Sequence, residues 1–233
     1  MARSTRSLLA LSTAPLPRGW LRVLSLLGVL AGPGDAATAA AADPETAAEF
    51  KEAGRDGPLL VFKRQLPQKV APIVRITTQV PDLTPAQLFA TAWDVPTQLA
   101  WVPRLGRLTI LKAAENEWVI YEQVKIPVAK DRDYVLRLRA VARGQGGRYE
   151  IKAEPPPPQD VSQPIDPGHI RMTDLWSQWI FTATPAGGTA LSYESYGDPA
   201  GDLPAWLKKS AAVRGPSDFV KALIAETRRR AAR

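Results

Sequence analysis

The sequence predicts an α+β protein in which a strongly curved antiparallel β-sheet is closed on its open side by a long C-terminal helix. Period-two segments extend from about residue 108 to residue 196 and are interrupted at hairpin spacing by Gly, Pro and Asp or Asn. Helical signals stand both before and after this run. Because a curved sheet wrapped around one helix encloses a space that side chains need not fill, we expect an internal apolar cavity.

The elements ahead of the long strand run are short. Residues 47–53 have the composition of a brief helix that stops at Gly54. Residues 59–62 and 73–78 concentrate apolar and β-branched side chains and are predicted to be strands.

A helix start follows at Thr84-Pro85-Ala86-Gln87. This tetrapeptide combines a capping hydroxyl, a proline at the first helical position and a glutamine that can reach back to the cap. It predicts a helix from Pro85 to about Ala92, with a second short helix that ends near Trp101.

The long run is predicted to contain six strands, and a helix follows them. The strands are Leu108–Leu111, Trp118–Val124, Tyr134–Val141, Tyr149–Lys152, His169–Ala183 and Thr189–Tyr196. The helix begins near Leu203 and carries an apolar face of Phe219, Val220, Leu223 and Ile224. Gly215-Pro216 predicts a break or kink within it.

The first 42 residues have the pattern of a secretory signal peptide. Four arginines precede or flank the apolar run Val23–Ala31, and a stretch of small residues follows. The apolar run is far shorter than the ~20 residues needed to cross a bilayer. We therefore expect an exported protein, periplasmic in a bacterium or secreted, with a single domain over residues 43–233.

Composition limits the classes of partner. Removing four Arg and one Asp with residues 1–42 leaves 26 basic and 22 acidic side chains, so the net charge falls from +7 to +4. Residues 43–233 lack the clustered basic and interleaved aromatic side chains that are typical of a nucleic-acid-binding surface, so we expect no nucleic-acid partner. There is no cysteine, so stability must come from a hydrophobic core, and we expect a monomer without a cofactor.

Residues suited to catalysis are few. The absence of cysteine excludes a Cys/His nucleophile pair, and because His169 is the only histidine a multi-histidine zinc site is excluded as well. No Gly-X-Ser-X-Gly sequence is present to supply a serine nucleophile, and no phosphate-binding glycine loop is present.

Several local sequences in this order resemble one family of lipid-binding domains. They are Asp94 followed by Trp101, Tyr121-Glu122, Lys125-Ile126-Pro127, Arg132-Asp133-Tyr134-Val135, His169-Ile170-Arg171-Met172 and Gly197-Asp198-Pro199-Ala200-Gly201 leading to Trp206-Leu207. The chain is similar to the START (steroidogenic acute regulatory protein-related lipid-transfer) domain over about residues 50–230. The resemblance implies a helix-grip fold of the Bet v 1-like superfamily, with an apolar tunnel for one lipid between the sheet and the terminal helix.

Strand parity identifies the side chains expected to face that tunnel. The inward set on one strand is Trp118, Ile120, Glu122 and Val124, and on the next strand it is Tyr134, Leu136 and Leu138. Phe219 and Leu223 are expected to face the same space from the helix. With Arg171, these residues form the predicted ligand-binding set.

Glu122 is unusual in this set because a carboxylate on an apolar face needs a partner. Arg171 or Arg132 is a candidate partner, and the alternative is that Glu122 turns outward. START relatives with sterol-type ligands place an acid near this position and an arginine on the neighbouring strand, where this chain has Leu138. The sequence therefore leaves both sterol specificity and the partner of Glu122 open.

The resemblance also implies a gate formed by the loop before Arg132 and by the last helix. The predicted gate residues are Pro127, Arg132 and Asp133, with an Arg132–Asp133 salt bridge that holds the loop. Lys125, Lys130 and the tail Arg228–Arg230 are expected to meet anionic lipid head groups during transient contact with a membrane surface.

Three functions are consistent with the sequence. The favoured function is the binding, and transfer, of a hydrophobic ligand such as a lipid, sterol-like or hopanoid-like. An enzymatic function is less favoured. An enzyme of the polyketide cyclase or hydrolase type would use Glu122 as its base. An interaction module of the cell envelope is the third.

Overall fold

A computed structural model describes residues 49–127, 129–158, 166–203 and 205–233, which belong to one compact unit. The predicted signal peptide, residues 1–42, lies outside the described residues. Over the described ranges the helices are α1 (Pro85–Trp93) and α2 (Ala205–Ala231), with 3₁₀ turns at Val95–Ala100 and Gln145–Gly147. The strands are β1 (Lys51–Asp56), β2 (Leu59–Arg64), β3 (Ile73–Val80), β4 (Leu105–Ala114), β5 (Glu117–Val124), β6 (Arg132–Arg143), β7 (Arg148–Glu154), β8 (Ile170–Arg171), β9 (Leu175–Ala183) and β10 (Thr189–Gly197).

Nine of these strands form one antiparallel sheet in the order β1-β2-β3-β10-β9-β7-β6-β5-β4. The short strand β8 lies off this path and pairs in parallel with the start of β6. The predicted α+β fold, an antiparallel sheet closed by a C-terminal helix, is confirmed.

The main hydrophobic core lies between the inner face of the sheet and the two helices. Helix α2 contributes Val220, Leu223 and Ile224, which are buried against strand residues such as Ile76 and Phe181. This core forms because α2 has one apolar face and the strands alternate inward and outward residues. The predicted core face of the terminal helix is confirmed.

Helix α1 begins with the predicted cap. The backbone N–H of Thr84 donates to Gln87 Oε1 at 2.8 Å, and the N–H of Gln87 donates to Thr84 Oγ1 at 3.3 Å. This reciprocal arrangement satisfies two N–H groups that the helix itself cannot pair.

The leading helix predicted over residues 47–53 is wrong from Lys51 onward, because Lys51–Asp56 is the edge strand β1. It pairs with β2 through a bulge between Glu52 and Gly54. A helix of this length gains little in isolation, whereas pairing with a neighbouring strand satisfies its backbone groups.

Two other boundaries differ from the prediction. The strand predicted over His169–Ala183 is two strands, since β8 lies beside β6 while β9 lies between β7 and β10. Helix α2 continues through Pro216 instead of breaking there. The contacts of its apolar face hold the helix together although the proline donates no backbone hydrogen bond.

Candidate ligand-binding site

A cavity of about 300 Å³ opens at the end of the sheet where β5 and β10 stop and where β6 and β9 begin. Most of its lining is apolar. Strand and loop residues on its walls include Val124, Ile126, Tyr134, Leu175 and Tyr193, and helix α2 contributes Pro216 and Phe219. The cavity thus lies between the sheet and the terminal helix, where side chains alone do not fill the space.

The register of the strands defines which residues form the floor of the cavity. Ser177 on β9 and Ser195 on β10 are directly opposite each other, and Tyr193 lies two residues deeper than Ser195. Both serines and Tyr193 line the cavity, whereas Trp179, opposite Tyr193, belongs to the core. From the other wall, Tyr134 on β6 completes the floor.

Glu122 lies immediately behind this floor. It is directly opposite Tyr134 in the β5–β6 register, and the two side chains interact. Burial raises the pKa of Glu122 to about 7, although the interaction with the Tyr134 hydroxyl opposes this rise. The expected inward direction of Glu122 is observed, with Tyr134 as its partner.

The partners suggested by the sequence, Arg132 and Arg171, are therefore wrong. Both arginines are engaged elsewhere, because Arg171 pairs with Asp133 and Arg132 donates to backbone carbonyls. The sequence offered no signal for the tyrosine because cross-strand register becomes visible only when the strands are paired.

The tyrosine hydroxyls of the floor stay protonated. Burial raises the pKa of Tyr193 to about 12, although interactions with Ser177 and Ser195 oppose this rise. Burial and the neighbouring Glu122 also raise the pKa of Tyr134 well above its ordinary value. At neutral pH the floor therefore carries hydroxyl groups without charge.

The structure places the predicted ligand-binding set in three locations. Val124, Tyr134 and Phe219 line the cavity. Glu122 lies behind the floor and Arg171 lies on the outer side of the sheet. The remaining residues pack in the core between the sheet and the helices: Trp118, Ile120, Leu136, Leu138 and Leu223. Contact of any of these residues with a ligand stays a prediction.

Asp133, at the outer side of β6, is the centre of a buried polar cluster. It is fully buried and accepts hydrogen bonds from Arg171 Nε and Nη2 at 2.9 and 3.0 Å and from the Tyr121 hydroxyl at 3.0 Å. Desolvation alone would raise the pKa of Asp133, but the hydrogen bonds from Arg171 and Tyr121 hold it below its ordinary value. The predicted Arg132–Asp133 salt bridge is wrong, because the two side chains alternate across the strand.

Arg132 instead joins two loops at the mouth of the cavity, the 125–131 loop and the turn that contains Pro199 and Ala200. Its Nε donates to the carbonyl of Pro199 at 2.8 Å, its Nη2 to that of Ala200 at 2.9 Å, and its Nη1 to that of Lys130. Gly201 has a positive φ of 61°, and a Cβ there would lie 2.9 Å from Ile170. The positive φ and the close contact with Ile170 both favour glycine at this turn beside Arg132.

The loop of residues 125–131 is tied to its surroundings at both ends. The N–H of Ile126 donates to Asp131 Oδ1 at 3.0 Å, and Lys130 Nζ donates to the carbonyl of Pro167 at 2.7 Å. Pro127, one of the predicted gate residues, is exposed at its tip, and Val128 lies outside the described residues.

Sequence reasoning missed an ion pair that crosses the mouth of the cavity. Arg104 Nη2 lies 2.9 Å from Asp218 Oδ2 and connects the segment before β4 to helix α2. Arg104 has a positive φ of 63°, which is uncommon for a residue with a side chain. Its carbonyl also accepts the N–H of Lys125, so one residue contacts both α2 and the 125–131 loop.

The basic tail of α2 lies at the other end of the sheet. Arg228 pairs with Asp82, just after β3 ends, and Arg230 pairs with Asp94. All three arginines are bonded to carboxylates, since Arg229 pairs with Glu226, which Arg230 also contacts. Contact of this tail with lipid head groups stays a prediction.

Two further findings limit the chemistry of the described part of the chain. No group of three or more His, Asp or Glu side chains within it is placed to hold a metal ion. None of its helices combines the length and the apolar character that membrane crossing requires.

Comparison with known proteins identifies the family. The START domain sequence pattern matches residues 60–233. An uncharacterized protein of Pseudomonas aeruginosa is 24% identical over 147 residues, which cover 62% of this chain and 70% of that protein. Because the family pattern spans most of the sequence, the protein belongs to the START domain family.

Solved structures share the fold. A fragment of the STAR-related lipid transfer protein from Xanthomonas axonopodis matches with a TM-score of 0.68 at 21% identity, covering 77% of this chain and 98% of that one. Human StAR-related lipid transfer protein 5 matches with a TM-score of 0.65 at 18% identity, covering 77% and 86% of the two chains. The fold is the helix-grip fold predicted from the sequence.

Proposed function

We propose that the protein binds one molecule of a hydrophobic ligand, a lipid, in the cavity between the sheet and helix α2. The observation that carries this proposal is the apolar-lined cavity of about 300 Å³. Its volume is at the lower end of the ~300–1,000 Å³ range of small-molecule sites, so a sterol-like or hopanoid-like molecule would require the cavity to widen. The lipid-transfer names of the two solved relatives support the same function.

The free energy for binding comes from removal of apolar surface from water. Each methylene that enters such a cavity contributes about 0.8 kcal/mol. The aromatic side chains of Tyr193 and Phe219 supply large apolar surface, with ring centroids 5.7 Å apart.

Release and uptake require the mouth to open. We propose a gate made of the 125–131 loop with Pro127, the residues Arg132 and Asp133 that hold its end, and the α2 segment 215–219. The Lys130–Pro167 hydrogen bond and the half-exposed Arg104–Asp218 ion pair break at lower cost than the buried contacts of Arg132 and Asp133, which hold the end of the loop. Transfer between membranes would follow from opening at a membrane surface, with Lys125 and Lys130 near anionic head groups.

Native mass spectrometry of the protein purified from its own host tests the binding function. A co-purified lipid of defined mass is expected. Ser195→Phe, which fills the cavity, should abolish this species, whereas Ser192→Phe on the outer face of the same strand should retain it. An empty wild-type protein that also takes up no lipid from vesicles would exclude the proposed function.

An enzyme with Glu122 as acid or base is the second candidate. The observation in its favour is the pKa of about 7, which suits proton transfer at neutral pH. Tyr134 separates Glu122 from the cavity, so the proton would pass through the tyrosine hydroxyl. Turnover of a small aromatic or ester substrate that is lost in Glu122→Gln would support this function over simple binding.

We also propose that the protein is exported and acts as a monomer, in the periplasm or outside the cell. The pattern of residues 1–42 supports export. Cell fractionation together with N-terminal sequencing of the mature chain tests it, and a cytoplasmic protein that retains residues 1–42 would contradict it. Light scattering of the purified protein measures the oligomeric state.

A further inference from the structure

The floor of the cavity is polar although its walls are mostly apolar. Three hydroxyl groups, those of Tyr193, Ser177 and Ser195, lie together where β9 and β10 pair on the inner face of the sheet. Serine is an unusual choice for an inward-facing strand position beside a hydrophobic core, because burial of a hydroxyl is unfavourable unless it is hydrogen bonded.

These hydroxyls have more hydrogen-bonding capacity than their mutual contacts use. The side chain of Tyr193 interacts with both serines. Each hydroxyl can donate one hydrogen bond and accept two, so acceptor and donor positions are left for a group that enters the cavity. The floor can therefore bind a ligand oxygen that itself donates or accepts.

The charged side chains of the described lining lie nearer the mouth. Arg104 and Asp218 pair with each other, and the guanidinium of Arg132 is bonded to backbone carbonyls. An anionic head group at the floor would meet hydroxyls and the acid Glu122 behind Tyr134, with no cation beside it in the described lining. Burial of such a charge is strongly unfavourable.

We propose that the cavity selects an uncharged amphiphile with one small hydroxyl or carbonyl group, which binds head first to Tyr193, Ser177 and Ser195. The apolar part of the ligand then extends past Phe219 and Val124 toward the mouth. This inference rests on the proposed binding function and specifies the class of lipid. It disfavours phospholipids and other ligands whose head group carries charge.

Displacement of the uncharged fluorophore N-phenyl-1-naphthylamine from the wild-type protein tests the selection. The competitors are decanol, decane and decyl phosphate, which share one chain and differ in the end group. We expect the affinity for decanol to exceed that for decyl phosphate by at least about ten-fold. Equal or tighter binding of the phosphate would overturn the inference.

Variants identify the floor as the origin of the selection. In Ser195→Ala and in Tyr193→Phe, the affinity for decanol relative to decane should fall about five-fold, the effect of one hydrogen bond. The matched control Ser192→Ala, on the outer face of β10, should leave this ratio unchanged. An unchanged ratio in both floor variants would overturn the inference while leaving the binding function intact. If neither decanol nor decane displaces the fluorophore, both proposals fail.

Discussion

At the scale of single residues, Glu122 illustrates how a carboxyl group is accommodated behind an apolar cavity. The polar group that interacts with it is the Tyr134 hydroxyl, and neither Arg132 nor Arg171 is bonded to it. Desolvation is the larger effect, so the folded protein holds a proton on Glu122 up to about pH 7. Leu138, on the neighbouring strand, packs into the core.

The raised pKa of Glu122 predicts a pH-dependent stability. Between about pH 4.5 and pH 7 the folded protein binds a proton that the unfolded chain has lost, so the free energy of unfolding falls as the pH rises. A change from 4.5 to about 7 corresponds to about 3 kcal/mol. Glu122→Gln cannot titrate, so its stability relative to wild type should increase by this amount between pH 4 and pH 8.

Urea unfolding of both proteins across this pH range measures the difference, and subtraction removes the contribution of all other titrating groups. A difference that is constant with pH would show that Glu122 is ionised in the folded protein at neutral pH.

The buried Asp133 predicts a large loss of stability on substitution. Asp133→Ala leaves Arg171 without its carboxylate partner and should lower the free energy of unfolding by about 3–5 kcal/mol. Glu117→Ala, which removes a carboxylate from an exposed pair with Lys112 on neighbouring strands, should cost less than about 1 kcal/mol. Urea denaturation measures both, and equal costs would contradict the structural role of Asp133.

At the scale of elements, helix α2 is held to the sheet by an aromatic cluster next to the cavity. Phe219 stacks on Trp101 at 5.8 Å and meets Trp179 edge-on at 5.2 Å. Just before this cluster, Gly215 and Pro216 weaken the helix, because glycine is flexible and proline lacks a hydrogen-bond donor. The weak point therefore coincides with the part of α2 that lines the cavity.

This weak point predicts a stabilising substitution. Gly215 does not have a positive φ, and a Cβ there would meet nothing within 4 Å. Because a proline ring crowds the Cβ of the residue before it, we expect the gain in a Pro216→Ala background, where Gly215→Ala should raise the free energy of unfolding by about 1 kcal/mol. If α2 opens at this point, ligand exchange measured by stopped-flow fluorescence should become slower.

The same substitution at a turn provides the control. Gly57 has a φ of 62° and equally open surroundings, so Gly57→Ala should destabilise by about 1 kcal/mol. A loss of stability in Gly215→Ala would show that the helix needs glycine at that position.

At the scale of the whole molecule, the cavity mouth is bounded by parts of the chain that are far apart in sequence. Arg104 and Asp218 are separated by 114 positions, yet their side chains meet across the opening. Opening of the mouth must therefore separate α2 from the segment before β4 if the proposed gate is correct.

A crosslink across this opening tests the gate. The chain has no cysteine, so cysteines placed at positions 104 and 218 can be joined selectively by a short bis-maleimide. The rate of lipid transfer between vesicles should fall at least about ten-fold in the crosslinked protein, because the ligand cannot pass the closed mouth. Crosslinking positions 112 and 117, which form an ion pair on β4 and β5, should have no effect. Unchanged transfer after crosslinking at 104 and 218 would exclude this gate.

The sequence by itself determined the elements whose signals are local. The Thr84–Gln87 capping box, the alternating strands β5 and β6 and the apolar face of α2 all follow from residue spacing, and the order of these elements predicted the fold. Strand parity also placed Val124 and Tyr134 on the correct face, since side chains alternate along any strand.

Tertiary structure alone decided which side chains meet. The Glu122–Tyr134 and Asp133–Arg171 pairs, the carbonyl contacts of Arg132 and the Arg104–Asp218 ion pair depend on strand register and on loops that approach each other after folding. The strand β1 was missed for the same reason, because its hydrogen bonds come from β2. Local spacing fixes the direction of a side chain, whereas its partner is set by the packing of segments that are distant in the sequence.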